Sequence, residues 1–216
     1  MAVRRRYLLW GLAALLALGA ALLIGVRFHS FADAERWAKE FDNPARDAWQ
    51  KPAEVVGALK LAPDAVVADI GSGTGYFAVR LARAVPKGRV HGADLEPNMV
   101  RYLNERAARD KLPNLSSHVA APDSPKLPEK ADLVLVVDTY HHIERREGYF
   151  GALRESLKPG GRVAIVDFRP DSPEGPPAWM RIGAPQVRDE MARAGYRVAE
   201  EHGFLPHQYF LVFAPR

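Results

Sequence analysis

The chain has 216 residues, enough for one domain and an appendage, and 48% of them are hydrophobic, enough for a real core. It contains no cysteine, which excludes disulfides, zinc–thiolate sites and thiol catalysis. The net charge of +4 comes mostly from Arg4, Arg5 and Arg6. Beyond Val26 there are 27 basic and 26 acidic residues, without the basic excess that nucleic-acid binding calls for.

Those arginines precede Tyr7 to Val26, twenty uncharged residues dominated by Leu and Ala. At about 1.5 Å per residue, a helix of that length spans a hydrocarbon core of about 30 Å. The reading favoured here is an uncleaved single-pass membrane anchor. A signal segment, cleaved to leave a periplasmic or secreted protein, is the alternative, although the apolar run continues past Ala17, Gly19 and Ala21 without a clean cleavage site. Arginines before the span favour an external domain, while Arg27, Arg36 and Lys39 after it pull the other way, so sidedness stays open. The chain divides into 1–26 (anchor or signal segment), 27–64 (an N-terminal helical region) and 65–216 (the main domain).

Phe28 to Phe41 spaces Phe31, Ala34, Trp37, Ala38 and Phe41 as an amphipathic helix, and Asn43-Pro44 breaks it. Pro52 starts a second helix that ends near Leu61. Val66, Val67, Ala68 and Ile70 read as a buried parallel strand. Gly71-Ser72-Gly73-Thr74-Gly75 follows, then a helix with Phe77, Leu81 and Ala82 on one face. Strand, glycine turn and helix open a nucleotide-binding βα unit, where the backbone comes close to a ligand and the helix start offers free N–H groups.

The second strand is Arg89 to Ala93, with Asp94 at its end and Leu95 beside it. An acid about 20 positions past the glycines can accept from both ribose hydroxyls of a nucleoside. Pro97 fits the first turn of the next helix, which runs from Met99 to Lys111. Strands follow at Leu115 to Ala120 and Ala131 to Val137, the latter delivering Asp138-Thr139-Tyr140-His141-His142 to the ligand-binding edge of such a sheet. Arg146 to Leu157 is a helix. Leu157-Lys158-Pro159-Gly160-Gly161-Arg162 turns into a strand over Val163 to Phe168. Arg169 to Ala184, rich in Pro and Gly, is a loop over the active edge and part of an acceptor pocket. Pro185 to Ala194 is a helix, and Tyr196 to Gly203 and His207 to Ala214 form a terminal hairpin.

The spacing G-x-G-x-G with Asp69 before it, and Tyr76 where a dinucleotide fingerprint has Gly or Ala, resembles the first motif of the class I S-adenosylmethionine (SAM)-dependent methyltransferases. The A-D-L-E-P segment, the D-x-x-x-L-P pattern at Asp123, the His pair and the L-K-P-G-G-R turn resemble later motifs of that family, over about Val55 to Phe213. The resemblance implies an α/β fold: a Rossmann-like seven-stranded sheet, mostly parallel with an antiparallel last strand, helices on both faces. It implies SAM as cofactor, held by Asp69, Gly71, Ser72, Gly73, Thr74, Gly75, Asp94, Leu95, Asp123 and Asp138. Asp123 equally suits a plain turn, and Asp138 a cap. Trp49 and Gln50 would line the pocket, with Trp49 equally suited to be a core or hinge aromatic. His141, and less so His142, are the candidate bases. The His and Asp residues lack metal-ligand spacing. Without cysteine the chain is no match for methyltransferases that bind arsenic through thiolates. The expected activity is methyl transfer to a small, lipophilic acceptor; a non-catalytic SAM-binding sensor or assembly protein is the alternative, and an NAD(P) oxidoreductase is disfavoured by Tyr76.

Overall fold

The computed structural model describes residues 31–216. The uncharged run Tyr7 to Val26 lies outside the described residues, as do the first residues of the expected Phe28–Phe41 helix. Among the described residues, no helix is long and apolar enough to cross a membrane.

Seven strands form one sheet: β1 (Val66–Ile70), β2 (Arg89–Asp94), β3 (Leu115–Val119), β4 (Ala131–Val137), β5 (Leu157–Phe168), β6 (Tyr196–His202) and β7 (Gln208–Pro215). Their order is β3-β2-β1-β4-β5-β7-β6. β1 to β5 pair in parallel, and β7 runs antiparallel to both β5 and β6. This is the Rossmann-like seven-stranded sheet expected from the sequence. The order reverses between β1 and β4, and the crevice at their carboxyl ends is where such sheets take ligands.

The sequence explains why both faces are covered. β1 is buried at every position and β4 at nearly every one, as continuous Val/Leu/Ile runs require. One face packs under α3 (Pro52–Ala58), α4 (Ala78–Ala84) and α5 (Pro97–Arg109), through Val55, Phe77, Leu81 and Leu103. The other packs under α6 (Arg146–Leu153) and α7 (Ala184–Arg193), through Tyr149, Phe150, Leu153, Val187 and Met191. Two short helices precede these, α1 (Ala34–Phe41) and α2 (Asp47–Gln50), joined by a 3₁₀ turn over Pro44–Arg46.

Two expectations need correction. The helix expected over Arg146 to Leu157 ends at Leu153, because Leu157 already enters the sheet opposite Ala131. The Pro-Gly-Gly turn does not precede β5 but lies inside it. Ala131 pairs with Leu157 and Leu133 with Arg162, so the intervening residues swell out as an irregularity between the two pairs. Gly160 takes φ +78 there, and a side chain on Gly161 would press on the carbonyls of Ala131 and Lys158.

Candidate active site

The glycine turn leaves β1 with Gly71, Gly73 and Gly75 all at positive φ (72°, 51° and 95°), a conformation that side chains resist. A Cβ on Gly71 would run into Thr139 past the end of β4, and one on Gly75 into Leu103 of α5. The turn is thereby packed tightly between β4 and α5.

Asp94 ends β2 directly beside this turn. Its carboxylate accepts from the Gly73 N–H at 2.8 Å and the Glu96 N–H at 2.9 Å. Burial raises its pKa, against the pull of the N–H groups of Glu96, Gly73 and Leu95. A carboxylate has about four acceptor positions, so capacity remains for a ligand hydroxyl. Leu95 is 58% exposed and Val119, opposite Asp94 in the register, 46%. Two uncovered apolar side chains thus lie beside a carboxylate with spare acceptor capacity.

Asp69, at the end of β1, is buried. Loss of water pushes its pKa up to about 7, the Asp94 carboxylate adds to the rise, and the Ala78 N–H and Arg46 oppose it. The Thr74 hydroxyl is buried with no hydrogen-bond partner, a donor the loop leaves unused. The Ser72 hydroxyl, also unpartnered, lies under the loop, where a Cβ on Gly92 would approach it to 2.8 Å. Asp123 is exposed in a tight turn closed by the Ala121 N–H and Ser124 carbonyl at 2.8 Å, three residues past Ala120, whose N–H donates to the Asp94 carbonyl at 2.8 Å.

Past β4, Asp138 takes φ +52 and is clasped within the chain. Arg46 reaches it at 2.8 Å, and the Gln208 amide donates to its other oxygen. Burial pushes the Asp138 carboxyl up to about 7, with Arg46 acting the other way. Gln50 is fully buried and donates to Gln208 at 2.7 Å, and Trp49 lies against Phe168 at 5.7 Å. Both residues thus sit at the ends of β5 and β7.

The two histidines differ. His141 Nδ1 is 3.0 Å from both oxygens of Asp167, and both side chains are 3% exposed. Asp167 also accepts from the Phe168 and His141 backbone N–H groups, at 2.8 and 3.3 Å. An acceptor so placed holds the Nδ1–H edge of the imidazole and fixes the orientation of the ring. His142 keeps one edge open to solvent. Loss of water around the rest of its ring, and then His141 beside it, push its pKa down to about 4. It packs on His141 at 4.1 Å and on Phe31 at 6.0 Å.

Asp167 and Arg46 had not been singled out in the sequence. Asp167 was visible in principle, since it is an acid near the carboxyl end of an apolar strand, the same placement as Asp69, Asp94 and Asp138. Arg46 carried no local signal, because its partner is 92 positions away. Among the described residues, no group of three His, Asp or Glu side chains could hold a metal ion.

The sheet order and the glycine turn are those of the Rossmann-like fold shared by SAM-dependent methyltransferases. Residues 67–161 match the family model of a methyltransferase domain. The chain is 33% identical over 118 residues to erythromycin 3''-O-methyltransferase of Saccharopolyspora erythraea, covering 51% of this chain and 39% of that protein. It is 33% identical over 112 residues to the ubiquinone/menaquinone biosynthesis C-methyltransferase of Cupriavidus taiwanensis, covering 49% and 44%. The chain thus spans less than half the length of these two relatives. A SAM-dependent methyltransferase structure from Aquifex aeolicus superposes with a TM-score of 0.77 at 24% identity, over 84% of this chain and 97% of that one.

Proposed function

We propose that this chain transfers a methyl group from SAM to an oxygen or an acidic carbon of a small, lipophilic acceptor, with His141 as general base. The observation that carries the reading is the buried His141–Asp167 pair at the carboxyl ends of β4 and β5. Bound at the glycine turn, with its ribose on Asp94 and its adenine against Leu95, SAM supplies a methyl on a sulfonium, a good leaving group. The chain then has three tasks: to align the acceptor, to exclude water and to take up a proton. Asp167 fixes the His141 ring by accepting from Nδ1–H, and Nε2 receives the acceptor's proton. Asp167 is a positioning residue, because it acts through His141.

An O-methylating and a C-methylating relative both support a base, since either kind of acceptor gives up a proton. The quinone pathway named for the second relative, together with the uncharged run Tyr7 to Val26, supports a lipophilic acceptor held near a membrane by an N-terminal anchor.

The test is transfer of tritium from methyl-labelled SAM into a lipid extract and into a polar metabolite pool. Label should appear in the lipid fraction. A positioned base contributes about 10²- to 10⁴-fold, so His141→Ala should lose rate on that scale while SAM affinity holds. Asp167→Asn should lower turnover and change its pH profile. Equal turnover in parent and His141→Ala would remove the base, and no label in any fraction would leave a domain that only binds SAM.

A further inference from the structure

The loop between β5 and α7 carries one of the most exposed large apolar side chains of the described residues, Trp179, at 82%. The loop holding it is built rather than slack. The Arg181 guanidinium donates to the carbonyls of Pro176 at 2.7 Å and Pro170 at 3.2 Å, and to that of Ser172. Ser172 is itself buried, its hydroxyl 2.9 Å from the Glu174 carbonyl. Gly175, at φ +91, packs so closely under Phe168 that a Cβ would collide with the ring. Three internal ties therefore hold an indole out in solvent, between Pro177-Ala178 and Met180.

The base of the same loop borders a cavity of about 310 Å³ lined by Arg169, Pro170, Gly183, Ala184 and Tyr209. Asp167, which holds His141, is the register partner of Tyr209. Loop, cavity and base thus share the carboxyl edge of the sheet.

The N-terminus enters the domain on that edge as well. Phe31 packs on His142 at 6.0 Å, and the neighbouring Ala32 carbonyl accepts from Asn98 at 2.8 Å. Five residue steps separate Phe31 from Val26, the last residue of the uncharged run. A fully extended chain covers at most about 3.6 Å per residue, so the run ends within about 18 Å of the active edge. A span of twenty uncharged residues seated in a bilayer would tether this edge within that reach of the lipid surface. Tryptophan, like tyrosine, is enriched at the membrane–water interface.

We infer that the Trp179 loop docks on the lipid headgroup surface and turns the cavity beneath it toward the bilayer. The acceptor then enters from the membrane; that part rests on the methyl-transfer reading, whereas the docking does not. Because the chain lacks cysteine, a single introduced thiol reports one place. Ala178→Cys, beside the indole, and Lys87→Cys, on the opposite edge before β2, carry an environment-sensitive fluorophore in the full chain. Both are mixed with vesicles of phosphatidylethanolamine and phosphatidylglycerol containing a nitroxide-labelled lipid.

The label at 178 should shift to the blue and be quenched, while the label at 87 stays aqueous. Adding Trp179→Ser should weaken the quenching at 178. An aqueous, unquenched label at 178 on vesicle-bound chain overturns the docking, as does failure of the full chain to bind vesicles. Should the Ala178→Cys chain not fold, brominated lipid serves with native side chains. Trp179→Phe must then lose a quenchable part of the tryptophan emission, and an unchanged quench overturns the inference. Methyl transfer with an aqueous label at 178 would refute the docking alone; a quenched label without transfer would refute the enzymatic reading alone.

Discussion

Four carboxylates, Asp69, Asp94, Asp138 and Asp167, stand at or just past the ends of β1, β2, β4 and β5, and their surroundings give them different work. Asp94 is bonded to backbone N–H groups and keeps acceptor capacity, Asp138 is clasped by Arg46 and Gln208, and Asp167 holds His141. Asp69 is buried, with its pKa raised to about 7. An unfolded Asp titrates near 3.9. Between those values the folded chain binds a proton that the unfolded chain has released. The stabilisation is therefore present at low pH and lost as pH rises through 7. In urea unfolding from about pH 5 to about pH 8, the stability of the parent relative to Asp69→Asn should fall with pH, by at most about 1.4 kcal/mol per unit. A difference independent of pH would mean that Asp69 is not a buried acid of this kind. Three of these acids were legible because an acid at the end of an apolar strand is a local pattern. Ser72 belongs to the same local pattern, and its buried hydroxyl lies where a side chain on Gly92 of the next strand would approach it to 2.8 Å.

At the scale of elements, the N-terminal segment lies across the site. Phe31 packs at a tilt on Trp37 at 4.9 Å, Trp37 stacks on Phe41 at 5.1 Å, and Phe41 rests over Gly73, where an added Cβ would meet it at 3.7 Å. Arg106 of α5 ties Asp42 at 2.8 Å and the Thr74 carbonyl at 2.9 Å. Arg46 is the hub of this segment. Besides Asp138 it meets Gln50 at 2.9 Å, the Phe41 carbonyl at 3.0 Å and the face of Tyr76 at 4.2 Å. Breaking a buried ion pair from one side costs about 3–5 kcal/mol, and this pair, 14% and 20% exposed, sits toward the lower end. Arg46→Ala should therefore loosen residues 34–50. Hydrogen exchange should speed up across that segment and leave β4 unchanged; equal protection would show that the segment is held by its aromatic contacts alone. The helix was legible from its spacing of apolar residues, but it starts at Ala34 behind the Asp33 cap and leaves Phe31 outside it. What it covers was not legible, because the contacts that dock it join residues far apart in sequence.

For the whole molecule, local patterns gave the strands and most helices, since buried parallel strands read as continuous apolar runs and glycine turns mark their ends. The errors fell where long-range pairing overrides local preference. The Pro-Gly-Gly segment reads as a turn, yet Ala131 captures Leu157 ahead of it and draws it into β5. The Arg146 helix is shortened by the same pairing. The account as a whole depends on a nucleoside lying across the carboxyl ends of β1, β2 and β4 with its sugar on Asp94. Calorimetric titration of SAM into the parent, Asp94→Asn and Asp94→Ala measures this directly, with melting curves to confirm that each variant folds. Hydrogen bonds to a charged group contribute about 1.5–3 kcal/mol, so each variant should bind SAM roughly 10- to 100-fold more weakly, at tenfold per 1.4 kcal/mol. Folded variants that bind SAM as tightly as the parent would contradict the account.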